Sequence, residues 1–205
     1  MLNVDSAPPV PGLDAFNAQG AEEAEAGLLA CCASRVFARE VAALRPYRDL
    51  DRLAEVAEAV VLGLDWSGVR EALAAHPRIG EPPREGSPAA GSEPSGDRER
   101  PSGKHSGRPP ERHPAREAAW SRGEQAGVDT AGREVLDRLA EGNRAYERRF
   151  GHVYLICATG LSAGEMLARL TERLGNDEDT ERDVVRTELA KITRLRLAKL
   201  LGAAP

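Results

Sequence analysis

The stretch EDTERDVVRTELAKITRLRLAKLL, residues 178–201, decides the fold class. At about 100° per residue, Val185, Leu189, Ile192 and Leu200 fall on one stripe, the period of an amphipathic helix and not of a strand. Arg196 lies at the centre of that stripe and Arg194 points away from it. The same period recurs along the chain. It predicts helices over 21–34, 35–44, 50–64 and 67–75, and over 116–125, 131–149 and 162–174 before the last one, with Pro46 and Trp66 near the breaks. Neither set completes a closed core alone. Both are therefore expected to pack into one all-α helical bundle, a single domain over 1–205.

Composition points the same way. Hydrophobic residues make up 41% of the chain and aromatics only 4%, so the core must be built from Ala, Leu and Val, which helices accept when packed. The net charge of −5 is spread over interleaved acids and bases, without the concentrated positive potential of a nucleic-acid site. No apolar run approaches the roughly 20 residues that span a bilayer. The N-terminus lacks the basic and apolar regions of a signal peptide. A cytoplasmic protein with neither nucleic-acid nor membrane partners is expected. The odd set Cys31, Cys32 and Cys157 fits reduced thiols. His76, His105, His113 and His152 are scattered, no zinc-type spacing occurs, and no metal is expected.

One segment differs from the rest. Residues 82–116 contain no Val, Ile, Leu, Met, Phe, Trp or Tyr and hold eight of the fourteen prolines. Such a segment cannot offset the entropy of ordering itself, and it reads as a long flexible insertion interrupting the bundle.

Four polar features stand out in the predicted helices and their ends. HPRIGE, residues 76–81, ends a helix at a proline turn; its His76 is either a solvated loop histidine or a rigidly mounted proton carrier. SRGEQ, residues 121–125, has the Ser-to-Glu spacing of a capping box, but its glycines leave little helix to cap. Ser121, Glu124 and Gln125 are the alternative, three polar side chains presented together. Arg196 needs an anionic partner in an apolar stripe: either a core Glu or Asp, or a substrate carboxylate or polarised carbonyl that fits its planar fork. Asn143 lies on the stripe of Leu136, Leu139, Tyr146 and Phe150, where a core amide bonded to neighbouring backbone is expected. After it, VYLICATG, residues 153–160, fits an extended passage or one helical turn. Irregular backbone there would expose N–H groups to a polar ligand.

CCASRVFAREVAALRPY, DWSGVREALAAHPRIGE, SRGEQAG, LAEGNRAYERRFGHVYLICATG and TELAKITRLRLAKL, in that order, resemble the 2-oxo-4-hydroxy-4-carboxy-5-ureidoimidazoline (OHCU) decarboxylases of urate degradation. The resemblance covers nearly the whole chain outside 82–116 and the first dozen residues. It departs from the family in that long insertion and in Phe37, where the family often has tryptophan.

The resemblance implies an all-α bundle, a homodimer, and release of CO2 from OHCU to give (S)-allantoin without a cofactor. By motif it makes His76 the proton donor, with Glu124 orienting and charging the imidazole. Pro77, Ser121, Glu124, Gln125, Arg196 and the backbone of Ile156, Cys157, Ala158, Thr159 and Gly160 are the implied substrate contacts. Chemically, the imidazolinone ring supplies its own conjugated electron sink, and donors around it stabilise the developing charge. Two other classes stay open: a cofactor-free lyase on another ureido or imidazoline acid, since fold does not fix substrate, and an inactive helical interaction domain.

Overall fold

The structure, a computed structural model, describes residues 10–80, 120, 121, 123–128 and 132–203. Among them are eight α-helices and no strand: α1 (Pro11–Ala18), α2 (Ala21–Cys31), α3 (Arg35–Ala43), α4 (Leu50–Gly63), α5 (Trp66–Ala74), α6 (Arg133–Phe150), α7 (Ala163–Arg173) and α8 (Glu178–Leu200). The expected insertion at 82–116 lies outside the described residues, as do positions 116–119 of the helix expected over 116–125. Of the remaining positions, 120, 121, 123 and 124 are helical, and a 3-10 turn follows, Ala126–Val128.

Helix starts follow side-chain chemistry. Asp49, Asp65 and Asp177 accept backbone N–H bonds from Arg52, Gly68 and Thr180 at 2.7–2.8 Å. Ser162 and Glu165 close a complete capping box on α7. Helix α6 ends on Gly151 in the left-handed region, φ 73°.

Helix α1 was not legible in sequence, and its support is tertiary. It has no side-chain cap. Leu13 and Phe16 are buried, and Arg45 Nη1 donates to the carbonyls of Phe16 and Gln19 at 2.7 and 2.8 Å.

Helix α8 packs against α2 and α4, which joins the C-terminal half to the N-terminal one. It contributes Leu189 and Leu197 to the first of two apolar clusters. That cluster also contains Leu28, Phe37, Leu53 and Val69; the other contains Ile79, Leu139, Tyr146, Met166 and Leu170. Residues 153–158 run along the seam without helix. Val153, Leu155 and Cys157 pack on the first cluster, and Tyr154, Ile156 and Ala158 on the second. That period of two identifies an extended chain. Of the two conformations open to VYLICATG, the helical turn is excluded.

Candidate active site

The turn after α5 is fixed from several sides. His76 N–H donates to Leu73 O at 3.0 Å. Arg78 pairs with Glu147 of α6, Nε to Oε1 at 2.5 Å and Nη2 to Oε2 at 2.7 Å. Asn143 Nδ2 donates to Ile79 O at 2.9 Å, which is the core-amide role expected of it. Thus His76 is neither solvated nor loosely held; it is 8% exposed.

Its ring has a defined polarity. Nδ1 lies 2.9 Å from Ala72 O; a carbonyl only accepts, so Nδ1 carries the hydrogen and Nε2 keeps a lone pair. Nε2 is buried without a hydrogen-bond partner among the described residues. Burial, with the nearby Arg196 charge, pushes the His76 pKa down to about 4 against the raising influence of the Ala72 bond and Glu124. At neutral pH the imidazole is uncharged.

Glu124 is engaged elsewhere. Arg196 grips it with Nε to Oε1 at 3.1 Å and Nη2 to Oε2 at 2.9 Å, while the same Nη2 donates to Ser121 Oγ at 2.9 Å. Lys199 Nζ reaches Glu124 Oε1 at 3.4 Å. The expectation that Glu124 orients and charges the imidazole is therefore corrected: the Ala72 carbonyl orients the ring, and Arg196 takes the carboxylate. The capping reading of SRGEQ also fails. Ser121 is itself helical, its carbonyl accepts from Gln125 N–H at 3.2 Å, and its hydroxyl faces Arg196. Of the two partners weighed for Arg196, the core acid is the one present.

These side chains surround a cavity of about 20 Å³, lined by His76, Pro77, Ile79, Ser121, Glu124, Gln125, Tyr154, Leu155, Ile156, Ala158 and Ile192. That is room for about one water molecule, so a ring-sized ligand requires the lining to move. Gln125 Oε1 accepts from Gly80 N–H at 3.3 Å, leaving its amide nitrogen as the donor. Seven expected residues, His76, Pro77, Ser121, Glu124, Gln125, Ile156 and Ala158, meet here. Cys157, Thr159 and Gly160 are not in the lining: Cys157 packs on the other cluster, and the other two are exposed. Arg196 stands behind Ser121 and Glu124, fully buried.

Sequence reasoning missed Ile79, Tyr154, Leu155, Ile192 and the nearby Lys199. Ile192 and Lys199 had a signal, since they lie four residues before and three after Arg196 on one helix face. A roomier cleft of about 590 Å³ between α3 and α4 is lined by Val36, Leu44, Val56 and Val60 with scattered charges, without a comparable convergence of buried polar groups. Among the described residues, no cluster of three or more His, Cys, Asp or Glu side chains could hold a metal ion.

Two expected results follow from this geometry. A histidine with a depressed folded pKa binds its proton more readily when unfolded, so its contribution to stability is complete above about pH 6.5 and is lost as pH falls toward 4. At pH 5 the loss is about 2 kcal/mol for the shift to about 4. Melting of wild type and His76→Asn at pH 5 and 7.5 measures it, and the variant should lack this component. The second concerns Gly127 of the 3-10 turn, where a Cβ would lie 2.0 Å from Leu161 O. Gly127→Ala must displace the turn that follows Glu124 and Gln125; a loss of about 1–3 kcal/mol is expected on thermal melting, with reduced turnover.

Comparison with known proteins identifies the family. A uric acid degradation bifunctional protein (TTL) of Arabidopsis thaliana is 30% identical over 173 residues, 84% of this chain and 45% of that protein. A 2-oxo-4-hydroxy-4-carboxy-5-ureidoimidazoline decarboxylase of Amia calva is 41% identical over 88 residues, 40% of this chain and 49% of that protein. The chain thus spans about half the length of these curated relatives. The crystal structure of an OHCU decarboxylase in the presence of (S)-allantoin superposes with a TM-score of 0.64 at 26% identity, covering 90% of this chain and 99% of that one. That of an (S)-allantoin synthase shares the fold, with a TM-score of 0.58 at 16% identity over 92% of this chain and 53% of that one. The family model described as OHCU decarboxylase matches residues 17–198, and the chain belongs to that family.

Proposed function

We propose that this chain decarboxylates OHCU to (S)-allantoin in urate degradation, using His76 Nε2 as the proton carrier. The observation that carries the reading is the uncharged, buried imidazole whose free lone pair lies beside the Ser121–Glu124–Arg196 cluster. The substrate carries a hydroxyl and a carboxylate on one ring carbon, next to a carbon double-bonded to nitrogen that bears the ureido group. As the C–C bond to the carboxylate breaks, its electron pair moves into the ring and onto that nitrogen, and CO2 leaves. His76 takes the hydroxyl proton, so that the hydroxyl carbon becomes a carbonyl. It then returns the proton to the ureido-bearing carbon from one face, which sets the stereochemistry; solvent supplies the proton taken up by the ring nitrogen.

Neutral His76 is first a base and only then an acid. Glu124, already neutralised by Arg196, leaves the departing carboxylate without a tight cationic grip that would favour the ground state. The backbone N–H groups of Ile156 and Ala158 have no hydrogen-bond partner among the described residues. With the Gln125 amide they serve as donors for the developing enolate. A homodimer in the cytoplasm completes the proposal, supported by the exposed Val36, Leu44 and Leu62, 45%, 56% and 45% accessible; sedimentation tests it. No helix among the described residues is long and apolar enough to cross a membrane.

The test is an assay in which urate oxidase and hydroxyisourate hydrolase generate OHCU and circular dichroism follows allantoin. The protein should accelerate appearance of the (S) enantiomer; unaccelerated, racemic allantoin would count against the reading.

A further inference from the structure

An extended chain sends the N–H and C=O of one residue to one flank and those of the next residue to the other. In the seam, Leu155 O accepts from Arg173 Nη1 of α7 at 2.7 Å, and Cys157 N–H donates to Glu188 Oε2 of α8 at 2.7 Å. Both charged side chains are buried, 8% and 9% exposed. Each is itself anchored: Glu181 Oε1 accepts from Arg173 Nε and Nη2 at 2.9 and 2.5 Å, and Lys191 Nζ reaches Glu188 at 2.7 Å.

Ile156, between the two clamped groups, turns its N–H and C=O to the opposite flank. It is buried, lines the His76 cavity, and neither backbone group has a partner among the described residues. An unpaired buried N–H is rare in a folded protein, which marks this one as held for a ligand.

The clamp also acts electronically. A guanidinium on the Leu155 oxygen draws density from the other end of that peptide unit, the Ile156 N–H, and makes it a stronger donor. A carboxylate on the Cys157 N–H pushes density onto the other end of its unit, the Ile156 C=O, and makes it a stronger acceptor. We infer that Arg173 and Glu188 are positioning residues that hold and polarise Ile156 so that its N–H and C=O together read a cis-amide edge, a ring carbonyl beside a ring N–H. This deepens the proposed function by naming the edge of a cyclic ureide that the cavity recognises, and it rests on that cavity being the substrate site.

The test uses binding and not turnover, so it stands apart from the decarboxylation assay. Hydantoin presents the edge, and 1,3-dimethylhydantoin is the same ring with both N–H donors blocked. In wild type, titration followed by amide NMR should shift the Ile156 resonance with hydantoin and leave it nearly unmoved by the dimethyl compound. Glu188→Gln keeps the side-chain volume and an acceptor but removes the charge. Charge-assisted hydrogen bonds are roughly twice as strong as neutral ones, so the variant should lose about three- to tenfold of the preference for hydantoin, with its melting temperature nearly unchanged. An Ile156 amide indifferent to hydantoin would overturn the inference without any variant. So would a variant that weakens both ligands equally.

Discussion

His76→Asn is expected to lower kcat/KM by about 10²–10⁴-fold with the fold intact, the factor that general acid–base catalysis supplies. Asparagine retains a polar group in the turn but has no nitrogen that can take up and return a proton near neutrality. The Arg78–Glu147 pair and the Asn143 bond to Ile79 O that brace the turn are untouched. Substrate still decays spontaneously, and allantoin formed in the presence of the variant should be close to racemic. The wild-type pH profile carries a second signature. A base whose pKa is pushed down to about 4 should leave kcat/KM level from pH 8 to about pH 5, without a limb near the ordinary histidine value of about 6.5. Near-normal rate and optical purity from His76→Asn would remove the imidazole from the chemistry.

Arg196→Met carries the largest expected cost in stability. The fully buried guanidinium makes two bonds to Glu124 and one to Ser121, and the variant leaves a buried carboxylate facing Lys199 at 3.4 Å. Breaking a buried pair from one side costs about 3–5 kcal/mol, whereas replacing both partners by apolar residues is often neutral or stabilising. The double variant Arg196→Met, Glu124→Leu should therefore recover most of the urea midpoint lost by the single one and remain inactive. Arg196 also helps to lower the His76 pKa, so in Arg196→Met that pKa should rise. A single variant as stable as wild type would contradict the buried pair.

What the sequence revealed depended on the range of the contact. The stripe on 178–201, the Ser162 capping box and the inward placement of Asn143 and Arg196 are patterns of three and four residues along one helix, and they are visible without a structure. The partner of Arg196 is 72 positions away, and nothing in local periodicity selects Glu124 over Glu181 or Glu188, which are also buried. The family resemblance, not any local pattern, sets Glu124 beside the histidine; the structure gives the imidazole to the Ala72 carbonyl instead. Residues 153–158 were ambiguous for a physical reason. Both faces of the passage are packed against apolar clusters, so the alternation that betrays a strand with one solvated face is missing from the sequence. Helix α1 stayed hidden because its support is Arg45 and the core, not its own caps.

The central claim is that His76 stands uncharged, with hydrogen on Nδ1 and a bare Nε2 directed to the substrate. Nitrogen-15 NMR of the imidazole, recorded from pH 7.5 down to about pH 4, tests it directly. The account predicts a protonated Nδ1 and an unprotonated Nε2 throughout the neutral range, with titration setting in only near pH 4. A ring that takes its second proton near pH 6.5, or one carrying its single hydrogen on Nε2 at neutral pH, would contradict it.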